Sequence, residues 1–131
     1  MRIIVDKVGV PPLHAISSKE VRLIFSSVPA KWSGLVEVVR LSGSRQSLLA
    51  LYNATDKIFT IASRGHSKEE SLRLVLVELA SHAMGFKRGT FQNLQARYKS
   101  QINALVAPLM AALLPQLSSK KELVDCRELA Q

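Results

Sequence analysis

The stretch Ser67–Met84, SKEESLRLVLVELASHAM, decides how this chain is read. Ser67 and Glu70 have the spacing of a capping box, in which each side chain satisfies a free backbone donor of the other. Leu72, Val75, Leu76, Leu79, Ala80 and Ala83 then recur at helical spacing and make a broad apolar surface, so the helix is expected to be largely buried. Gly85 follows as a natural stop, because glycine accepts the left-handed backbone that ends many helices. Glu78 and His82 lie one turn apart on this helix and are able to pair.

On the N-terminal side, Arg2 to Val8 alternates and reads as a short strand. Pro11 and Pro12 stop it, since proline cannot donate to a ladder. Ser17 and Glu20 form another capping box, opening a helix to about Ser26 that Pro29 closes, with Trp32 in the loop beyond. Leu35 to Leu41, Ser47 to Tyr52 and Lys57 to Ser63 read as strands. The turns between them, Ser42-Gly43-Ser44 and Asn53-Ala54-Thr55-Asp56, are short, and short connections predict antiparallel neighbours.

On the C-terminal side, Thr90 is a plausible N-cap for a helix to about Val106. Leu94, Ile102, Leu105, Val106 and Leu109 form its apolar stripe. Pro108 reads as the first turn of a separate short helix ending near Pro115. The apolar run Leu109 to Leu117 is either core or a partner surface. Residues 119–131 read as a tail that is frayed or holds a last short helix capped by Ser119. The expected fold class is therefore α+β: a small antiparallel meander of three or four strands packed on helices, in one domain over residues 1–118.

Composition bounds the function classes. A chain of 131 residues suits one core, and 21% charged residues argue against disorder except at the ends. No apolar run reaches the roughly 18–20 residues of a bilayer span. The opening residues are too soon charged for a signal peptide, so the expectation is a soluble cytoplasmic protein. Cys126 stands alone, with neither a disulfide partner nor a base near it in sequence. The net charge is +8, and no acidic residue occurs between Leu79 and Lys121. That asymmetry suits a polyanionic partner.

The order of elements, together with Pro29, Trp32, Ala50-Leu51-Tyr52, Ile58-Phe59-Thr60-Ile61 and Leu74-Val75-Leu76-Val77-Glu78-Leu79-Ala80-Ser81-His82, resembles a minimal zincin-like domain of the minigluzincin or SprT-like kind. The resemblance covers roughly residues 17–106. It implies a cleft between an edge strand and an H-E-x-x-H helix, where two His bind zinc and the Glu is the general base. Aligning Glu78 with that base places Val77 and Ser81 where the His ligands belong. Valine cannot bind metal, and serine is a poor zinc ligand. His82 lies about 100° around the helix from Ser81 and does not replace it. The third ligand of the following helix is missing too, since no His follows His82 and no acid lies between His82 and Glu122.

The resemblance therefore implies a catalytically inactive zincin-like domain that acts as a binding or assembly module within a larger complex. It needs no metal and no cofactor, and Glu78 and His82 remain as relic site residues. Val77, Glu78 and Ser81 should face one groove beside an edge strand. A second reading is a basic nucleic-acid-binding regulator using residues 86–99. There Lys87, Arg88, Arg97 and Lys99 offer cations for phosphates, and Phe86 and Tyr98 offer rings for base stacking. A third is a metal-dependent hydrolase with a rearranged site around Glu78 and His82. A serine nucleophile at Ser81 is excluded, because adjacent helical residues diverge and no acid orients His82.

Overall fold

The computed structural model describes residues 1–44, 48–86 and 95–118. Its elements run β1 (Arg2–Val5), α1 (Ser18–Ser27), α2 (Ala30–Ser33), β2 (Val38–Leu41), β3 (Leu49–Asn53), β4 (Ile58–Ala62), α3 (Lys68–Ala83) and α4 (Ala96–Ser118). This is a single α+β domain with one four-stranded sheet, in the order β1-β2-β4-β3. One core joins the sheet to all four helices. It takes Val39, Leu41, Tyr52, Phe59 and Ile61 from the strands, Val21, Ile24 and Phe25 from α1, Trp32 from α2, Leu72, Val75, Leu76 and Leu79 from α3, and Ile102, Val106, Met110, Leu113 and Leu117 from α4.

The sheet is mixed, and the expected meander is corrected here. β1 runs parallel to β2 and β2 parallel to β4; only β3 and β4 are antiparallel. The chain leaves β2 for the far edge of the sheet, runs β3 there, and turns back to insert β4 between them. Burial gives the reason. Phe59 and Ile61 are almost fully buried on one face of β4, Ala62 is buried on the other, and Ile58 and Thr60 are half-buried. A short strand apolar on both faces belongs in the middle of a sheet. β3 exposes Leu49 and keeps Ala50 and Leu51 half-buried, as an edge strand does. The β3–β4 turn has the expected chemistry: the Asn53 carboxamide oxygen accepts from the Thr55 amide, and the Asp56 carboxylate accepts from the Ile58 amide.

The helix starts form as their sequences dictate. Ser17 and Glu20 complete their capping box. Ser67 accepts from the Glu70 amide at 3.0 Å, but its own hydroxyl donates to the Glu70 carboxylate, so the reciprocal backbone bond is not made. The end of α3 is a Schellman turn. Gly85 has φ +90°, its amide donates to the His82 carbonyl, and the Phe86 amide donates to the Ser81 carbonyl.

Two expectations about helices fail. Trp32 is buried inside the short helix α2 instead of opening a loop. α4 is one helix that runs through Pro108 and Pro115, where a break and a second helix were expected. Both proline rings sit on the exposed side, so water can reach the carbonyls they leave unpaired. The buried stripe from Ile102 to Leu117 continues past them. This helix is also long and apolar enough, by length and composition alone, to cross a membrane, although polar residues interrupt its apolar run. In this fold its stripe packs against α3 and α1. Thr90, Ser119, Cys126 and the tail lie outside the described residues.

Candidate functional site

Glu78 projects from the middle of α3 toward the edge strand β3, and its Oε2 accepts two hydrogen bonds. One comes from the backbone amide of Tyr52 at 2.8 Å, the other from Nε2 of His82 at 3.1 Å. Both side chains of this pair are nearly buried, at 12% and 9% exposure for Glu78 and His82. The His82 ring stands edge-on to the Tyr52 ring at 4.9 Å, and Tyr52 also stacks on Phe59 at 6.3 Å. Tyr52 Oη donates to the Leu35 carbonyl. Burial, assisted by the Glu37 and Asp56 carboxylates, pushes the Tyr52 phenol above its ordinary 10.0.

This cluster closes on itself. Because β3 is an edge strand, the Tyr52 amide points away from β4, and Glu78 supplies the acceptor that a further strand would otherwise provide. His82 holds the same oxygen. Val77 and Ser81 are both buried, at 8% and 2% exposure. The Ser81 hydroxyl donates to the Val77 carbonyl at 2.7 Å, one turn back in its own helix. So Glu78 does stand beside an edge strand, but Val77 and Ser81 are packed into the core and do not face a groove. Among the described residues no three His, Cys, Asp or Glu side chains gather closely enough to hold a metal ion. The local donors are Glu78 and His82, already bonded to each other. That donor set falls short of the three protein ligands a catalytic zinc takes.

The basic candidates are partly assembled. Phe86 packs on the core and meets the Tyr98 ring edge-on at 5.4 Å. Arg97 is exposed, with its guanidinium 4.6 Å from the centre of the Tyr98 ring and one nitrogen 2.7 Å from the Tyr98 hydroxyl. Lys99 is half-buried on the same turn. Lys87 and Arg88 lie outside the described residues.

Other polar groups that sequence reasoning passed over organise the opposite end of the sheet. Arg64 donates to the carbonyls of Pro12, Gly43 and Val10 at 2.8, 2.7 and 3.2 Å, tying two loops to the end of β4. Asp6 accepts from Arg40 and from the Gly43 amide, each at 3.0 Å; the Arg40 guanidinium, then that amide, holds its carboxyl below the usual 3.8. His14 is half-buried. Its Nε2 donates to the Asp6 carbonyl at 2.8 Å, and its Nδ1 is buried without a partner. Lys68 reaches from α3 to the buried Glu20 carboxylate of α1 at 2.8 Å. None of these pairs has local spacing, so no sequence pattern marks them. Comparison with models of protein families, with curated proteins and with solved structures finds no match to this chain.

Proposed function

We propose that this chain is a non-catalytic binding or assembly module on a degenerate zincin-like frame, working within a larger complex. The observation that carries the reading is the Glu78 carboxylate. In a working site of that frame it would face a metal-bound water and take its proton. Here its Oε2 is held by the Tyr52 amide and by His82. Valine and serine stand where the two ligands belong, both buried, and the serine hydroxyl is bonded within its own helix. The polar centre of α3 serves to fix the helix to the sheet.

The test is zinc binding and peptide hydrolysis by the full chain. The reading expects no stoichiometric zinc and no hydrolysis that depends on Glu78. One zinc per chain, lost in His82→Ala together with a peptidase activity that Glu78→Gln abolishes, would establish the rearranged hydrolase instead.

A second reading has its own observation. Arg97 lies over Tyr98, and Tyr98 touches Phe86, at the start of a helix in a stretch without acidic residues. Phosphates and bases are bound by such pairings of cation and ring. A nucleic-acid-binding regulator predicts affinity for single-stranded DNA or RNA that falls steeply with salt and weakens in Arg97→Glu. Binding insensitive to salt, or none, rejects it.

A further inference from the structure

The sheet has two edges, and the fold treats them differently. At β3 the outward Tyr52 amide is taken by Glu78. At β1 nothing comparable happens. The Arg2 amide donates to Glu37 and the Asp6 amide to Leu41, so Arg2 and Ile4 turn their backbone groups, and Asp6 its amide, toward β2. In a parallel ladder the alternate residues, Ile3 and Val5, turn theirs outward. Among the described residues no hydrogen bond reaches them. Ile4 and Val5 are also 40% and 46% exposed. An uncovered edge with apolar side chains is what natural sheets ordinarily blunt with charge, proline or a bulge.

We propose that β1 pairs with β1 of a second copy of this chain, antiparallel and centred on Ile4, joining two sheets into one across a two-fold axis. The run Arg2-Ile3-Ile4-Val5-Asp6 is complementary to its own reverse. Centred on Ile4, Arg2 lies opposite Asp6 of the second copy, Ile3 opposite Val5, and Ile4 opposite Ile4. Each Ile3·Val5 pair then exchanges both backbone bonds, using the groups that point outward. Ile4 against Ile4 is the close, non-hydrogen-bonded pair that brings side chains nearest.

Charge selects this register over its neighbours. Centring on Ile3 sets Arg2 against Ile4, and centring on Val5 sets Asp6 against Ile4, so neither pairs the charges. Asp6 also has room for the contact. A carboxylate has about four acceptor positions, and Arg40 and Gly43 supply three donors, two to Oδ2 and one to Oδ1. Arg2 has no partner of its own among the described residues. A twofold contact of this kind is isologous and closes at two copies. Edge pairing of short strands is small beside the roughly 1,200–2,000 Å² of a stable interface, so the dimer is weak and depends on concentration. The proposal does not rest on the zincin-like reading.

Sedimentation of the full chain over a wide concentration range tests it, with disulfide trapping to fix the register. The expected result is a reversible monomer–dimer equilibrium. Val5→Pro, which removes an outward amide, and Ile4→Lys, which opposes two cations, should each weaken it about tenfold or more. Circular dichroism and melting should be unchanged, because both positions are exposed. In a Cys126→Ser background, Ile4→Cys should cross-link under mild oxidation far faster than Arg2→Cys. A chain that is monomeric throughout overturns the proposal. So does a dimer that survives both variants, or one that traps Arg2→Cys as readily as Ile4→Cys.

Discussion

Glu78 is a polar residue of α3 whose carboxylate is committed to the edge of the sheet. Its carboxylate gives the Tyr52 amide its acceptor, and that amide belongs to a residue only 3% exposed. Leaving a buried donor unsatisfied costs about 1–3 kcal/mol. Glu78→Ala is therefore expected to lower stability to urea by that amount. Glu78→Gln, which keeps an oxygen for the amide, should cost less than Glu78→Ala. An equal loss in the two variants would show that charge, and not the bond to Tyr52, is what matters. Tyr52 supplies a second prediction. Its phenol is raised chiefly by burial, so the folded chain holds that proton more tightly than the unfolded one. Its contribution is complete below the unfolded value near 10 and is lost as pH rises through the folded one. Tyr52→Phe should be less stable than the parent at neutral pH, having lost the bond to Leu35, and the gap should narrow above about pH 10. A gap that widens with alkali would contradict the burial account.

At the scale of elements, the local signals were legible and the long-range ones were not. Both serine caps, the Gly85 stop, the apolar face of α3 and the Asx chemistry before β4 follow from residues within a few positions of each other. The pairing of strands did not. Ser42-Gly43-Ser44 looks like a hairpin turn, yet it starts a crossing to the far edge. The signal for that lay in β4, where Ile58-Phe59-Thr60-Ile61-Ala62 is apolar on both faces and suits a central position. Pro108 misled for a related reason: a proline ends a helix only when the packing stripe does not continue beyond it. The Glu20–Lys68 pair could not be foreseen at all, since the residues are far apart in the chain. It ties the first turn of α1 to the first turn of α3, with Glu20 at 1% side-chain exposure and Lys68 at 15%. Removing one member of such a pair leaves a buried charge and typically costs 3–5 kcal/mol, as a rough guide. Lys68→Met should fall near the low end, about 3 kcal/mol, because its ammonium group keeps some access to water. Replacing both residues together, as Glu20→Gln with Lys68→Met, should recover part of that loss in thermal unfolding. No recovery would mean that the Glu20 charge is not what Lys68 compensates.

For the whole molecule, the polar pair of α3 is closed onto the sheet: the Glu78 carboxylate is held by His82 and by the Tyr52 amide. Glu78 takes the outward Tyr52 amide at one edge of the sheet, while no hydrogen bond among the described residues reaches the outward groups of Ile3 and Val5 at the other. The residues that carry this account were visible in sequence as Glu78 and His82. Their third partner was a backbone amide, which no residue type announces. That amide is also the most direct probe of the central claim, that the Glu78 carboxylate latches α3 to β3 and is not free for metal or catalysis. The measurement is hydrogen exchange at the Tyr52 amide, followed by NMR in the parent chain and in Glu78→Ala, with and without zinc. The account predicts an edge-strand amide as protected as those of β4, exposed by Glu78→Ala and unchanged by zinc. Rapid exchange in the parent, or protection that zinc removes by drawing the carboxylate away, would contradict it.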